Sequence, residues 1–270
     1  MLAIKNNLMA VNAARHLGRS YDALATSVER LASGLRINSA KDDAAGLAVR
    51  ELMRADISVL QQGSRNAQDG ISLLQVAEGG MQTINDLIVR MKQLAEQAAT
   101  GTYSTAQRTI MNSEFTELAS EIERISASAN FNKMSMLNSA SGSISVFFGS
   151  STDTIEIKMK DMTRGGLGID TLSIGSEESA RTALTALDTA IDTANKARAD
   201  FGAKMNRLEN TVGVIDVQTQ NLQASESRIS DVDVATEMAA MTRNQVLTQA
   251  GVAMLAQANA MPQMALTLLR

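Results

Sequence analysis

The chain has 270 residues, a net charge of −4 and no cysteine, so it has room for one large domain or two modest ones. The missing cysteines exclude disulfides, cysteine-ligated zinc and thiol catalysis, and no basic stripe interleaved with aromatics favours nucleic acid. Apolar residues reach 44%, yet only 3% of the chain is aromatic, with 16 Met, no Trp and a single proline, Pro262. That balance suits long packed helices better than an aromatic-lined pocket, and almost no obligatory helix breaker is present.

Along the chain, the start Met1-Leu2-Ala3-Ile4-Lys5-Asn6-Asn7-Leu8 has no uninterrupted apolar core and is not a Sec signal peptide. No run approaches about 18 consecutive apolar residues, so no membrane span is expected. The first twenty residues carry Lys5, Arg15 and Arg19 and no acid. Leu24, Val28, Leu31 and Leu35 then follow the spacing of a helix seam. From about Ala44 to Ala99 the stripe Ile71, Leu74, Ala77, Met81, Ile84, Ile88 and Met91 predicts a helix about 80 Å long. Glycines 46, 63, 70, 79 and 80 each cost that helix about 1 kcal/mol against Ala, which leaves its continuity open. Gly101 is placed to stop it, and Ser104-Thr105-Ala106-Gln107 reads as a capping box. The next helix runs to about Ala129 with Phe115, Leu118, Ile122 and Ile125 on one face.

Ser139 to Gly142 loses the pattern, and alternation in Ser143–Phe147 and Thr154–Met159 around Gly149-Ser150-Ser151 predicts a β-hairpin. Arg164 to Gly168 is a turn region. Ser176-Glu177-Glu178 restarts a helix, with acids in its first turn to suit the dipole. Its stripe is Leu187, Ile191, Ala194, Arg198, Phe201, Met205, Leu208, Val212, Ile215, Thr219 and Leu222, polar only at Arg198 and Thr219. From Ala239 to Leu269 the only charge is Arg243, and Val252-Ala253-Met254-Leu255-Ala256 is apolar on every helix face. Such helices are buried all round, and copies of the same chain would bury them. The predicted fold is mainly α, a long antiparallel helical bundle or coiled coil with one small β-hairpin and paired termini.

Catalysis has no constellation to stand on. His16 is the only histidine and has no acid within ten residues on its N-terminal side, so a helix-surface or interface position is expected. Asp42-Asp43 and Asp231-Val232-Asp233 lack the further ligands of a calcium loop and are read as helix-start and hinge chemistry. Gly165-Gly166-Leu167-Gly168 lacks phosphate-loop spacing. The methionines at helical spacing are adaptable core filler. The ends carry Gln, Asn and Thr rather than the Lys/Arg face of a membrane-surface helix. No enzyme activity, cofactor or metal is expected.

The run from Leu31-Ala32-Ser33-Gly34-Leu35-Arg36 through Lys41-Asp42-Asp43-Ala44-Ala45-Gly46-Leu47-Ala48 resembles the N-terminal signature of bacterial flagellins. Ser227-Arg228-Ile229, Ala235-Thr236-Glu237, Gln249-Ala250-Gly251, Leu255-Ala256-Gln257-Ala258-Asn259 and the close Leu268-Leu269-Arg270 resemble their C-terminal one. The likeness covers about residues 1–138 and 180–270. It implies a structural subunit of the flagellar filament, short and without large outer domains. Residues 1–43 and 230–270 would form a terminal helical assembly domain, the inner tube, and 44–229 a helical rod with the hairpin near 143–160. It further implies ends that order on assembly and export by the flagellar secretion system without a cleaved signal peptide. The implied partners are copies of the chain, an export chaperone, the filament cap and hook-associated proteins, and the implied location is the extracellular flagellum. Leu8, Leu35, Val246, Leu247, Leu255, Leu266 and Leu269 are the implied assembly and chaperone contacts. Val89-Arg90-Met91-Lys92-Gln93-Leu94-Ala95 is similar to the segment of flagellins recognised by Toll-like receptor 5. There Arg90, Leu94 and Glu114 would form the patch, with Lys92 and Gln93 departing from the commoner residues. The alternatives are a hook–filament junction-type protein or another secreted helical assembly protein or adaptor.

Overall fold

The computed structural model describes residues 6–139, 141–149 and 153–268. In chain order the elements are α1 (Leu8–Ser33), α2 (Ala44–Ala99), α3 (Thr105–Ser128), β1 (Asn130–Phe131), β2 (Met134–Ser135), β3 (Ser143–Phe147), β4 (Thr154–Lys158), α4 (Glu177–Ser230) and α5 (Val234–Leu268). The chain divides into two compact units, residues 1–57 with 220–270, and residues 58–219.

Unit 58–219 holds the core. Leu74, Ala77, Met81, Ile84, Ile88 and Met91 of α2 are fully buried against Leu187, Ala190, Ala194, Phe201 and Leu208 of α4. Phe115, Ala119 and Ile122 of α3 complete the layer, so the predicted stripes do face one another. The two long helices run antiparallel: Lys92 of α2 pairs with Asp188, whereas Glu78, a few turns earlier, meets Arg198, which lies later in α4. This accounts for the polar Arg198 in the α4 stripe. Its Nε and Nη2 donate to Glu78 Oε1 at 2.8 and 2.7 Å, so a half-buried charge is paired at the seam.

The ends of these helices follow from local chemistry. Arg108 of α3 reaches back to donate from Nε to Ala98 O at 2.9 Å and from Nη2 to Thr100 O at 3.1 Å, satisfying carbonyls that the end of α2 leaves open. The capping box forms as expected: Gln107 N donates to Ser104 Oγ at 3.4 Å, and Ser104 N to Gln107 Oε1 at 2.8 Å. Ser176 Oγ likewise accepts from Ser179 N at the start of α4. A feature the sequence reading missed follows α3. Asn132 and Lys133, with φ of 48° and 66°, form a two-residue turn that pairs β1 with β2. Two left-handed residues in succession match the twist of a tight hairpin, and Asn132 is the one local signal for it.

The predicted hairpin is β3–β4, antiparallel, with Ile144 opposite Ile157 and Val146 opposite Ile155. Val146, Ile155 and Ile157 are buried, as the alternation requires. Its far end lies on α2, where Asn66 Nδ2 donates to Phe147 O at 2.9 Å. The α2 helix is continuous despite its five glycines, and Gly63 shows one reason for them. A Cβ there would sit 2.6 Å from the Phe148 carbonyl carbon and 2.7 Å from its Cα. The helix surface has to be bare where the hairpin backbone crosses it. A Cβ at Gly79, in contrast, would have nothing within 4 Å.

The two glycines therefore part in sign. Gly79→Ala is expected to stabilise by about 1 kcal/mol through helix propensity. Gly63→Ala is expected to destabilise by about 1–3 kcal/mol, because backbone rather than a flexible side chain must give way. Urea unfolding followed by circular dichroism measures both; equal shifts of one sign would contradict this geometry.

Candidate assembly surface

Within unit 1–57 and 220–270, two breaks in the helices lie side by side. Gly34 closes α1 in the left-handed conformation, φ 73°, and its N–H donates to Arg30 O at 2.9 Å. The chain then pairs with the α4–α5 junction: Arg36 N donates to Ser230 O at 2.6 Å, and Val232 N to Gly34 O at 3.1 Å. Leu35 and Asp231 are bridged antiparallel across this clip. Arg50, buried at the start of α2, donates from Nη1 to Ile37 O at 2.7 Å and pairs with Glu51 at 2.7 Å, holding the loop down. Because both breaks are joined, α1 and α5 leave together and pack antiparallel.

The aspartates do the helix-start work read from the sequence. Asp43 Oδ1 accepts from Gly46 N at 2.9 Å to open α2. Asp233 accepts from Ala235 N at 3.0 Å and from Thr236 Oγ1 at 2.7 Å to open α5. Asp42 turns back on the loop, accepting from Ser39 N and Ser39 Oγ, each at 3.0 Å. Hydrogen bonds to the charged form, chiefly the Ser39 N–H on Asp42 and the Thr236 hydroxyl on Asp233, hold both carboxyls below the usual carboxylate range.

The most deeply buried positions of the α1–α5 seam are small residues, with Leu17, Leu24, Leu31 and Leu255 half-buried beside them. Among the described side chains, the only buried ones on these two helices are Ser27, Thr248 and Ala258, and a Cβ at Gly251 would lie 3.0 Å from Leu17 Cδ1. Asn7 ties the far end, capping α1 at Ala10 N and donating to Ala258 O at 2.7 Å. The predicted seam Leu24, Val28, Leu31 and Leu35 is corrected at one position. Ser27 is buried and Val28 faces solvent, since Ser27 keeps the 3–4 spacing between the half-buried Leu24 and Leu31. Large aliphatics point outward instead: Leu8 is 71% exposed, Val246 58% and Leu247 49%, with Val11, Tyr21, Val28, Val252 and Met254 also exposed. Leu35 and Leu255 are half-buried and His16 is exposed, while the side chains of Leu266 and Leu269 lie outside the described residues. Between the helices lies a groove of about 690 Å³ lined by Met9, Ala13, Leu17, Leu247, Ala250 and Met254 among others. No helix among the described residues is long and apolar enough to cross a membrane.

In unit 58–219, Arg90 and Glu114 do meet, the guanidinium donating from Nη2 and Nε to Glu114 Oε1 at 2.7 and 3.0 Å. Both are about half exposed, and Gln93 stands beside Arg90. Leu94 is 3% exposed, turned into the core beneath them.

Residues 4–141 match the family model for the bacterial flagellin N-terminal helical region, and residues 184–269 that for the C-terminal helical region. The chain belongs to the bacterial flagellins. It is similar to Flagellin FlaB2 of Treponema pallidum, 43% identical over the full length of both chains, and to a flagellin of Halalkalibacterium halodurans, 42% identical over the full length of both. Among solved structures it is similar to Bacillus cereus flagellin, with TM-score 0.51 and 31% identity over 60% of this chain and 94% of that one. The flagellin is thus a structural subunit that polymerises into the extracellular flagellar filament for swimming, and it is not an enzyme. The hook–filament junction alternative is not favoured. Between the two matched regions, residues 142–183 hold the β3–β4 hairpin and the loop that leads to α4. The full-length match to flagellins such as that of Treponema pallidum makes this a short form of the family.

The break-to-break clip went unseen in the sequence reading, because its bonds join backbone atoms almost two hundred residues apart. The aspartates give this flagellin a signed acid response. Folding lowers the Asp42 and Asp233 pKa values, so their contribution is fully present above the unfolded carboxylate pKa of about 4 and is lost as pH falls through the lower folded values. Thermal unfolding of the subunit from pH 6 to pH 2 is expected to weaken below about pH 4. Asp233→Asn, which keeps an acceptor but not the charge, should flatten part of that fall; an unchanged profile would remove Asp233 from the account.

Proposed function

We propose that the α1–α5 pair is the polymerising surface of the subunit and lines the inner tube of the filament. Residues 1–43 and 230–270 act as the terminal assembly domain and 44–229 as the rod. The observation that carries this is the set of large aliphatic side chains, Leu8, Val246 and Leu247 among them, that the pair leaves facing outward. Burying one exposed Leu, Val or Met side chain is worth about 1.5–3 kcal/mol, so a few such contacts per neighbour suffice to hold a polymer. Leu8, Val246 and Leu247 are the outward anchors, with Leu35 and Leu255 half-covered beside the seam. Much of the pair's stability then comes from neighbouring copies, so its order is coupled to assembly.

The same apolar face of α5 is the surface an export chaperone would cover before polymerisation. The filament cap and hook-associated proteins would meet the pair as they meet each added subunit. Export through the flagellar secretion system accords with the charge-poor terminal helices. On the rod, Arg90 and Glu114 present a paired, half-exposed charge patch suited to Toll-like receptor 5, with Leu94 supporting it from beneath rather than touching the receptor.

Val246→Asp separates folding from assembly, because the position is already open to solvent in the subunit. The variant is expected to keep its helical spectrum, while its critical concentration for polymerisation rises by roughly a hundredfold or more, since a buried unpaired charge costs several kcal/mol. Deleting residues 239–270 should leave a folded rod that does not polymerise. Sedimentation and negative-stain microscopy read both outcomes, and native-looking filaments from either variant would overturn the assembly surface.

For the receptor patch, Arg90→Ala is expected to reduce activation of receptor-bearing reporter cells by depolymerised subunits; an unchanged response would remove the site.

A further inference from the structure

The chain has 16 methionines and no cysteine, so thioethers are its softest nucleophiles and no thiol intercepts an oxidant first. Their exposure is graded, from sealed through Met134 at 38% and Met238 at 44% to largely open. Met81, Met91, Met136 and Met162 are essentially sealed in the core of unit 58–219. Among the described side chains the two most exposed methionines are Met9, at 62%, and Met254, at 63%. They sit far apart in sequence, on α1 and α5, yet both line the same groove between those helices, with Ala13, Leu17, Leu247 and Ala250.

We propose that Met9 and Met254 form an oxidation site that governs polymerisation, the oxidant being a peroxide. The proposal rests on the assembly reading of the α1–α5 pair. A thioether lone pair attacks one oxygen of hydrogen peroxide, the O–O bond breaks, and the departing oxygen leaves as water after proton transfer. Sulfur gives up two electrons and gains an S–O bond, while the peroxide is reduced. The product places a strongly polar, hydrated sulfoxide on a wall where Ala13, Leu17, Leu247 and Ala250 stand beside Asn12, His16 and Gln257, and a docked copy would have to strip that oxygen of water. The sealed core methionines keep the rod folded through the same exposure, so oxidation acts on assembly and not on the subunit's core. In a filament the two sulfurs are covered, which makes free subunits the vulnerable form. A sulfoxide reductase reverses the change.

The test uses the purified full-length subunit, hydrogen peroxide, peptide mass mapping, and seeded polymerisation followed by sedimentation. Met9 and Met254 are expected to be oxidised roughly tenfold faster than Met81 and Met91, and the critical concentration to rise roughly tenfold or more. A Met9→Leu, Met254→Leu double variant should polymerise before and after peroxide alike. Reducing the wild-type sulfoxides with a methionine sulfoxide reductase should restore polymerisation, which checks the site without any substitution. The proposal is overturned if wild type carrying both sulfoxides polymerises at its original concentration. It also falls if the double variant becomes as peroxide-sensitive as wild type, or if activity fails to return once both residues are reduced. If the untreated subunit does not polymerise, the assembly reading itself fails and this proposal falls with it.

Discussion

Helices α1 and α5 meet along their length, Leu17 over Gly251, Asn7 at Ala258 and Arg30 at Glu237, and much that is distinctive about this subunit depends on that contact. The pair buries Ser27, Thr248 and Ala258 most deeply and leaves Leu8, Val246 and Leu247 open to solvent. Those side chains are apolar and outward together, a state a lone chain tolerates poorly and a polymer relieves. On the proposed assembly reading, that outward apolar surface is what neighbouring copies would bury.

The second unit is built on the opposite logic. Its large residues, Leu74, Met81, Ile84, Ile88, Met91 and Phe201, face inward along an antiparallel seam, so it carries a complete core of its own. Charges decorate the seam where the stripe admits them, as in the Glu78–Arg198 pair. The hairpin is fitted onto α2 at the bare backbone of Gly63, which shows how a helix can carry glycines at a propensity cost and gain a docking surface.

Joining the helix breaks is what makes the terminal pair a pair. Gly34, Arg36, Ser230 and Val232 exchange backbone hydrogen bonds, while Asp43 and Asp233 open the helices on either side. The clip fixes the direction in which α1 and α5 leave, and Arg50 holds its loop from below. A short segment of irregular backbone therefore sets where the two helices begin to pair, and Arg30, Leu17 and Asn7 meet α5 along the rest of the seam.

Much of this was legible in the residues. The 3–4 spacing from Ile71 to Met91 and from Leu187 to Leu222 determined two long helices and the faces they bury, because helical periodicity is local. The Ser104–Gln107 capping box, the alternation in Ser143–Phe147 and the charge-poor run from Ala239 likewise state their structure directly. Tertiary structure alone decided which side chain fills a seam, since that depends on which face each helix turns to a partner far away in sequence. Ser27 took the place read for Val28, and Leu94 turned inward beneath Arg90, for that reason. It alone joined Gly34 to Val232 and brought Met9 and Met254 to one groove, because such contacts are set by how distant segments meet and leave no pattern in either segment by itself.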